Sequence, residues 1–155
     1  MKAFYEWVNT TSLSMFLQES TYTFPVTEVI HLMGITILTG AAIIVCLRLW
    51  GMGIQRPASE IQEGLAMWTW AGLIIVLGTG LVLLWAEPIK LSTNAAFPYK
   101  LIFLGLGLSL HFFGYLRVLK PGKAEASPLK AKLVGAGIMI CWFGAGVMGR
   151  AIGFV

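Results

Sequence analysis

A long and mostly apolar stretch from Phe24 to Gly51 constrains this chain more than any other feature. It is long enough to cross a bilayer, because a hydrocarbon core of about 30 Å needs about 20 helical residues. Lipid offers no hydrogen-bond partners, so a single segment at that depth is expected to be a helix. Three similar runs follow it, and the expected spans are about 25–48, 64–86, 98–118 and 129–153. These runs predict an all-α integral membrane four-helix bundle.

The first 23 residues have a different character. They are too short and too polar to span, but Trp7, Leu13 and Phe16 recur at mixed three- and four-residue spacings. This pattern predicts a short interfacial amphipathic helix, with aromatic side chains at headgroup level. The expected organisation is therefore an interfacial segment at 1–23 and a four-transmembrane-helix domain at 24–155. The first span is expected to serve as an uncleaved insertion signal.

Composition supports a membrane protein. Of the 155 residues, 57% are hydrophobic and 12% are charged, and the mean hydropathy is +0.81. Cys46 and Cys141 both fall in apolar runs without metal-type spacing, which predicts buried free thiols. The net charge of +4 comes with no basic aromatic module, so a nucleic-acid partner is not expected.

The loop charges predict an orientation. The expected loops on one side carry seven cations and the other side carries four: Arg48, Arg56, Arg117, Lys120, Lys123, Lys130 and Lys132 against Lys2, Lys90, Lys100 and Arg150. Because cytoplasmic loops carry the excess of Lys and Arg, both termini are expected to be extracytoplasmic.

Two histidines, His31 and His111, lie within expected spans that run in the same direction. Paired imidazoles from different helices of a membrane bundle are typical axial ligands of haem b, which makes both of them candidate metal ligands. Gly34, one turn beyond His31, is expected to leave room for a flat group. Counted from Pro25 and Pro98, the two histidines differ in depth by roughly 10 Å, a gap that helix tilt or a helix start before Pro25 would reduce. One shared haem, two haems and a single histidine ligand all remain open. Structural hydrogen bonds, a proton relay and copper binding are the alternatives.

Cations near the ends of two spans are candidate partners for haem propionates. Lys100 precedes His111 by about three turns and shares a face with it and with Gly107. Arg150 lies near the outer end of the last span. Either cation is equally well explained by snorkelling to lipid phosphates. Glu28, one turn before His31, is expected to fix its tautomer, to neutralise a nearby cation or to carry protons.

Other kinds of site are not favoured. The chain has no Asp and no Cys-x-x-Cys, which argues against a thiolate metal site or c-type haem attachment. No nucleophile, histidine and acid arrangement and no phosphate loop is present, so no catalytic residue is assigned. The methionines do not cluster at a consistent spacing, and core packing explains them better than copper transport does.

Several short motifs carry a family resemblance. They are Glu28-x-x-His31-x-x-Gly34, Leu47-Arg48-Leu49-x-Gly51, Trp70-x-Gly72, Gly80, Asn94-x-x-Phe97-x-x-Lys100 and Gly149-Arg150. Together they resemble a bacterial domain-of-unknown-function family of small four-helix membrane proteins. More distantly, the first and third spans are similar to HemJ-type protoporphyrinogen oxidases and to CopD-type membrane domains. The HemJ resemblance implies a haem b site that uses His31, with Lys100 and His111 as further candidates. Cys46 precedes the Leu47-Arg48-Leu49 motif, at a position where the family is expected to have an acidic residue.

These observations lead to an expected function. The chain is interpreted as a haem b-binding electron-transfer subunit of the bacterial inner membrane, passing electrons between the quinone pool and an extracytoplasmic partner. It would then be the membrane cytochrome subunit of an oxidoreductase, with one haem or two. The alternatives are a HemJ-like protoporphyrinogen oxidase, a non-catalytic assembly subunit and a copper transporter. The expected partners are membrane lipid, other subunits or a second copy of the chain, and quinone.

Overall fold

A computed structural model describes residues 2–53, 55–115 and 128–154. Its helices are α1 (Lys2–Asn9), α2 (Ser12–Glu19), α3 (Thr23–Leu49), α4 (Ala58–Ala86), α5 (Pro88–Thr93), α6 (Ala96–Ser109) and α7 (Pro128–Ala151). Helix α6 continues into a π-helical turn at Leu110–Gly114. The described residues contain no strand, and the predicted all-α fold class is confirmed.

Four of these helices are long and apolar enough to cross a membrane. They are α3, α4, α6 with its π-helical turn, and α7, with mean hydropathies from 1.4 to 2.3. This is the set that the apolar runs predicted, and it makes the chain a multi-pass membrane protein. Helix α4 begins at Ala58, six residues before the expected start, since the polar run after Pro57 consists largely of good helix formers. The basic loop expected at 119–127 lies outside the described residues.

Close backbone approach between α3 and α4 organises the bundle. Helix α3 packs mainly on α4, α6 packs mainly on α7, and α3 also meets α7. A Cβ at Gly72 would lie 2.8 Å from the backbone nitrogen of Leu38, so only glycine fits at this crossing. The core residues Leu38, Val45 and Ile138 are almost fully buried between the helices.

The N-terminal region forms two short helices, where the sequence predicted one. The break falls at Thr10 and Thr11, and the Thr11 hydroxyl accepts a hydrogen bond from the Ser14 amide at the start of α2. Helix α1 packs against α5, and α2 packs against α4. The Ser14 hydroxyl is buried and donates to the carbonyl of Trp85 over 2.8 Å, which satisfies a carbonyl in the last turn of α4. Both helices therefore dock on the end of the bundle where α4 finishes.

Candidate cofactor site

His31 lies on the buried face of α3 and is 7% exposed. Its Nδ1 is 2.7 Å from the hydroxyl oxygen of Thr79 on α4. The hydroxyl proton of Thr79 is donated to the carbonyl of Ile75, so the oxygen is left to accept a hydrogen bond from Nδ1–H. The neutral imidazole then carries its proton on Nδ1 and a free lone pair on Nε2.

The Nε2 atom of His31 is buried and has no hydrogen-bond partner within the described residues. A buried polar atom without a partner costs free energy, and it is unusual in a folded protein. The imidazole also lies close to α4 at Gly80, where a Cβ would be 3.5 Å from the Cε1 atom between the two ring nitrogens. One nitrogen fixed by a neighbour and the other left free is the typical state of a histidine that binds a metal.

Lys100 brings a positive charge to the same end of the bundle. It lies in the first turns of α6, is half-buried, and is close enough to His31 for its positive charge to act on the imidazole. Its Nζ lies 3.5 Å from where a Cβ of Gly149 would be, so the absence of a side chain on α7 makes space for the lysine. Four helices thus contribute to the surroundings of His31: α3, α4, α6 and α7.

Asn94 fixes the start of α6 near this site. Its side-chain nitrogen donates to the carbonyl of Ile152 over 3.1 Å, and its oxygen accepts from the amide of Ala96 over 2.9 Å. One amide side chain therefore ties the beginning of α6 to the end of α7. This connection sets the register that carries Lys100 to Gly149.

His111 occupies a second and separate environment. It lies in the π-helical turn, is 4% exposed, and packs among the rings of Phe112, Tyr115 and Trp142 with centroid distances of 5.4, 4.7 and 6.2 Å. Its Nδ1 and the Trp142 Nε1 are buried without a hydrogen-bond partner in the part of the chain that the structure describes. Single π-helical turns are frequent at functional sites, so His111 remains a candidate on these grounds.

The two histidines lie at different depths. The Tyr115 hydroxyl is 3.6 Å from the Cys46 sulfur, which aligns α3 with the end of the π-helical turn. Cys46 is 15 residues beyond His31, whereas Tyr115 is only 4 beyond His111. At ~1.5 Å per residue the histidines are roughly 16 Å apart along the bundle. Metal–imidazole bonds are about 2 Å long, so one iron does not bind both within a chain. This geometry disfavours a haem shared by the two histidines and leaves two haems, or a single histidine ligand, as the remaining options.

Two charged candidates lie away from His31. Glu28 is exposed, and the hydrogen bond to Nδ1 of His31 comes from Thr79 instead. Residues three apart on a helix differ by about 60° in direction, so one of them can face lipid while the other is buried. Arg150 is exposed as well, and its guanidinium lies over the ring of Phe154 at 4.6 Å. The expectation that Glu28 fixes the tautomer of His31 is therefore corrected, whereas a propionate contact of Arg150 stays a prediction.

Gly34 and Gly107, the two glycines among the candidate cofactor-binding residues, contact neighbouring helices. A Cβ at Gly34 would lie 2.6 Å from Cγ2 of Ile75, so the space beside this glycine is filled by α4. A Cβ at Gly107 would lie 3.3 Å from the Cβ of Cys141 on α7. Both glycines serve close helix packing, and the expectation that Gly34 leaves room for a flat group is corrected.

Thr79 and Trp142 were not among the site residues predicted from the sequence. Thr79 lies between Gly78 and Gly80, and a hydroxyl within an apolar span is itself a signal that a neighbouring helix needs a polar contact. Trp142 gave no such signal, because a tryptophan inside an apolar run is ordinary core composition. The described residues contain no group of three or more His, Cys, Asp or Glu side chains arranged for a metal ion.

The fold defines a small, multi-pass helical membrane protein with a buried histidine in each of two spans. Residues 4–155 match the model of a family of unknown function, DUF6644, and the chain belongs to that family. The expectation of an uncharacterised domain family is thereby confirmed. No curated protein and no solved structure matches the chain.

Proposed function

We propose that this protein binds haem b through His31 and acts as an electron-transfer subunit of a bacterial inner membrane. The observation that carries the proposal is the imidazole of His31, with its proton on Nδ1 held by Thr79 and its Nε2 buried without a partner. Haem is the group that fits best, because a porphyrin supplies four of the iron ligands itself and needs only axial ligands from the protein. The resemblance to HemJ-type proteins points to the same histidine.

Each residue of the site has a distinct part in this proposal. His31 Nε2 would hold the haem iron, and the Thr79 oxygen keeps the ring in the required tautomer and orientation. The Lys100 ammonium is suited to a propionate, since it is a cation near the end of a span and within electrostatic range of His31. The haem supplies one-electron chemistry when bound, and the protein supplies orientation and a water-poor surrounding. Because Nε2 is enclosed, side chains around it must move apart to admit the cofactor.

The proposed orientation places this site near the extracytoplasmic surface. Arg48, Lys130 and Lys132 lie at the opposite end, where the Trp50 indole donates to the carbonyl of Lys132 over 3.1 Å. The excess of cations at that end supports a cytoplasmic assignment for it and an extracytoplasmic one for both termini. A haem at the level of His31 and Lys100 would then be close to a partner on the outer side, and a quinone in the bilayer is the proposed partner on the other.

A spectrum of the purified protein tests the proposal. We expect a reduced-minus-oxidised spectrum with a b-type α band, and a pyridine haemochrome count of about one haem per chain when the protein is produced with haem available. His31→Gln should remove the band, whereas His111→Gln, at the separate aromatic site, should leave it. A wild-type protein without haem would overturn the proposal and favour a non-catalytic assembly subunit. Loss of the band only in His111→Gln would show that His111, in the π-helical turn, is the ligand instead of His31.

A further inference from the structure

A cavity of about 460 Å³ lies at the end of the bundle opposite His31. It sits between the last turns of α3 and the first turns of α4. Its apolar lining comes from Ile44, Ile61 and Leu65, and Gly64 opens it further, since nothing lies within 4 Å of a Cβ placed there. Among the described residues, its polar lining consists of one cation and one carboxylate, Arg56 and Glu60. An occupant must therefore have an apolar part and two neighbouring polar parts.

The two charges of this cavity are available to a ligand. Arg56 and Glu60 are both exposed, and neither takes part in an ion pair within the described residues. The Arg56 backbone is held in place, because its carbonyl accepts a hydrogen bond from Nε of Arg48 over 2.6 Å. That contact does not involve the Arg56 guanidinium. The Arg56 backbone is thus held by Arg48, while its guanidinium forms no ion pair with the described residues.

The depth of the cavity matches the boundary between hydrocarbon and headgroups. Ile44 precedes Arg48 by four residues, and Glu60 precedes Leu65 by five, which is ~6–8 Å along each helix. The apolar lining therefore extends toward the hydrocarbon, and the charged residues lie at the level where Arg side chains meet lipid headgroups. This arrangement suits a phospholipid whose acyl chain follows the apolar wall.

We propose that this cavity binds a zwitterionic phospholipid with a primary ammonium, that is, phosphatidylethanolamine. Its phosphate pairs with the Arg56 guanidinium, and its ammonium pairs with the Glu60 carboxylate. An anionic glycerol headgroup would leave Glu60 without an opposite charge. A choline headgroup carries the charge but has no N–H to donate to the carboxylate. The pairing of one cation with one carboxylate is the feature that selects ethanolamine.

Native mass spectrometry of the full chain tests this directly. The protein is delipidated in detergent and titrated with phosphatidylethanolamine, phosphatidylcholine and phosphatidylglycerol of identical acyl chains. We expect the ethanolamine lipid to bind about two- to fivefold tighter than the choline lipid, the size of a partly exposed ion pair. Glu60→Gln should remove that preference, and Arg56→Gln should weaken all three lipids. The matched controls are Glu63→Gln and Lys130→Gln, two exposed residues at the same end outside the cavity lining, which should leave the preference unchanged.

Three outcomes would overturn the proposal. Equal binding of the ethanolamine and choline lipids to the wild type would show that the Glu60 carboxylate does not distinguish the two headgroups. A preference for the glycerol lipid would make the site an anionic-lipid site. Unchanged selectivity in Glu60→Gln, with only a lower unfolding temperature, would limit Glu60 to stabilising the first turn of α4. Because both side chains are exposed, neither substitution is expected to prevent folding.

Discussion

The hydroxyl oxygen of Thr79 lies 2.7 Å from Nδ1 of His31 and determines which nitrogen of that histidine is free. The hydroxyl proton is already donated to the Ile75 carbonyl, so the oxygen acts on the imidazole as an acceptor. This relationship joins α3 to α4 through the polar groups of two spans. It also explains why a buried imidazole presents an unprotonated Nε2.

Replacing Thr79 should therefore weaken the proposed cofactor site without removing its ligand. Thr79→Val keeps the shape but removes the acceptor, and we expect haem affinity to fall about 10- to 100-fold, as it does when an outer-shell partner of a metal ligand is lost. Thr79→Ser keeps the hydroxyl and should stay close to the wild type. Haem titration of the apoprotein, followed by absorbance, measures both.

Thr36→Val is the matched control for this substitution. Thr36 is exposed on α3, and its hydroxyl donates only to the Leu32 carbonyl, so its haem affinity should not change. If Thr79→Val bound haem as tightly as Thr36→Val does, the Thr79 hydroxyl would not be needed to hold His31 in the tautomer that binds haem.

Lys100 should affect the potential of the proposed haem. Its half-buried ammonium is within electrostatic range of His31, and a cation near the iron disfavours the oxidised state. We expect Lys100→Met to lower the midpoint potential by on the order of tens of millivolts, and Lys100→Arg to keep it near the wild type. A spectroelectrochemical titration measures the shift.

Arg150→Gln separates this effect from a general loss of positive charge. Arg150 is exposed over Phe154, so its removal should leave the potential unchanged. If Arg150→Gln shifted the midpoint potential and Lys100→Met did not, Arg150 rather than Lys100 would be the cation that acts on the haem.

The sequence predicted the four spans well, because length and apolarity are local properties of each run. The environment of His31 was harder to predict, because it depends on how the helices meet. The spacing of Glu28 and His31 gives a small angle between them, but the position of α4 decides which one is buried. The depth of His111 depends on the contact between Cys46 and Tyr115 and on a π-helical turn. No local sequence motif predicted that turn.

The crossing of α3 and α4 should depend on Gly72. A Cβ there would meet the backbone nitrogen of Leu38 at 2.8 Å, and a backbone atom cannot move aside without separating the helices. We expect Gly72→Ala to lower the free energy of unfolding by about 1–3 kcal/mol. Gly78→Ala, on the same helix with nothing within 4 Å, should be neutral or stabilising by up to about 1 kcal/mol. Unfolding in mixed micelles compares the two, and equal stability of both variants would contradict the close approach.

The docking of the N-terminal helices should depend on Ser14. Its buried hydroxyl donates to the Trp85 carbonyl over 2.8 Å and accepts from the Gln18 side chain over 2.9 Å. Ser14→Ala leaves that carbonyl without this donor, which costs about 1–3 kcal/mol at a buried position. We expect the amides of α1 and α2 to exchange roughly tenfold faster or more, because each 1.4 kcal/mol corresponds to a factor of ten. Ser12→Ala, exposed on the same helix, is the control and should exchange like the wild type. Equal exchange in the two variants would mean that apolar contacts, such as that of the fully buried Val8, hold these helices without the hydrogen bond.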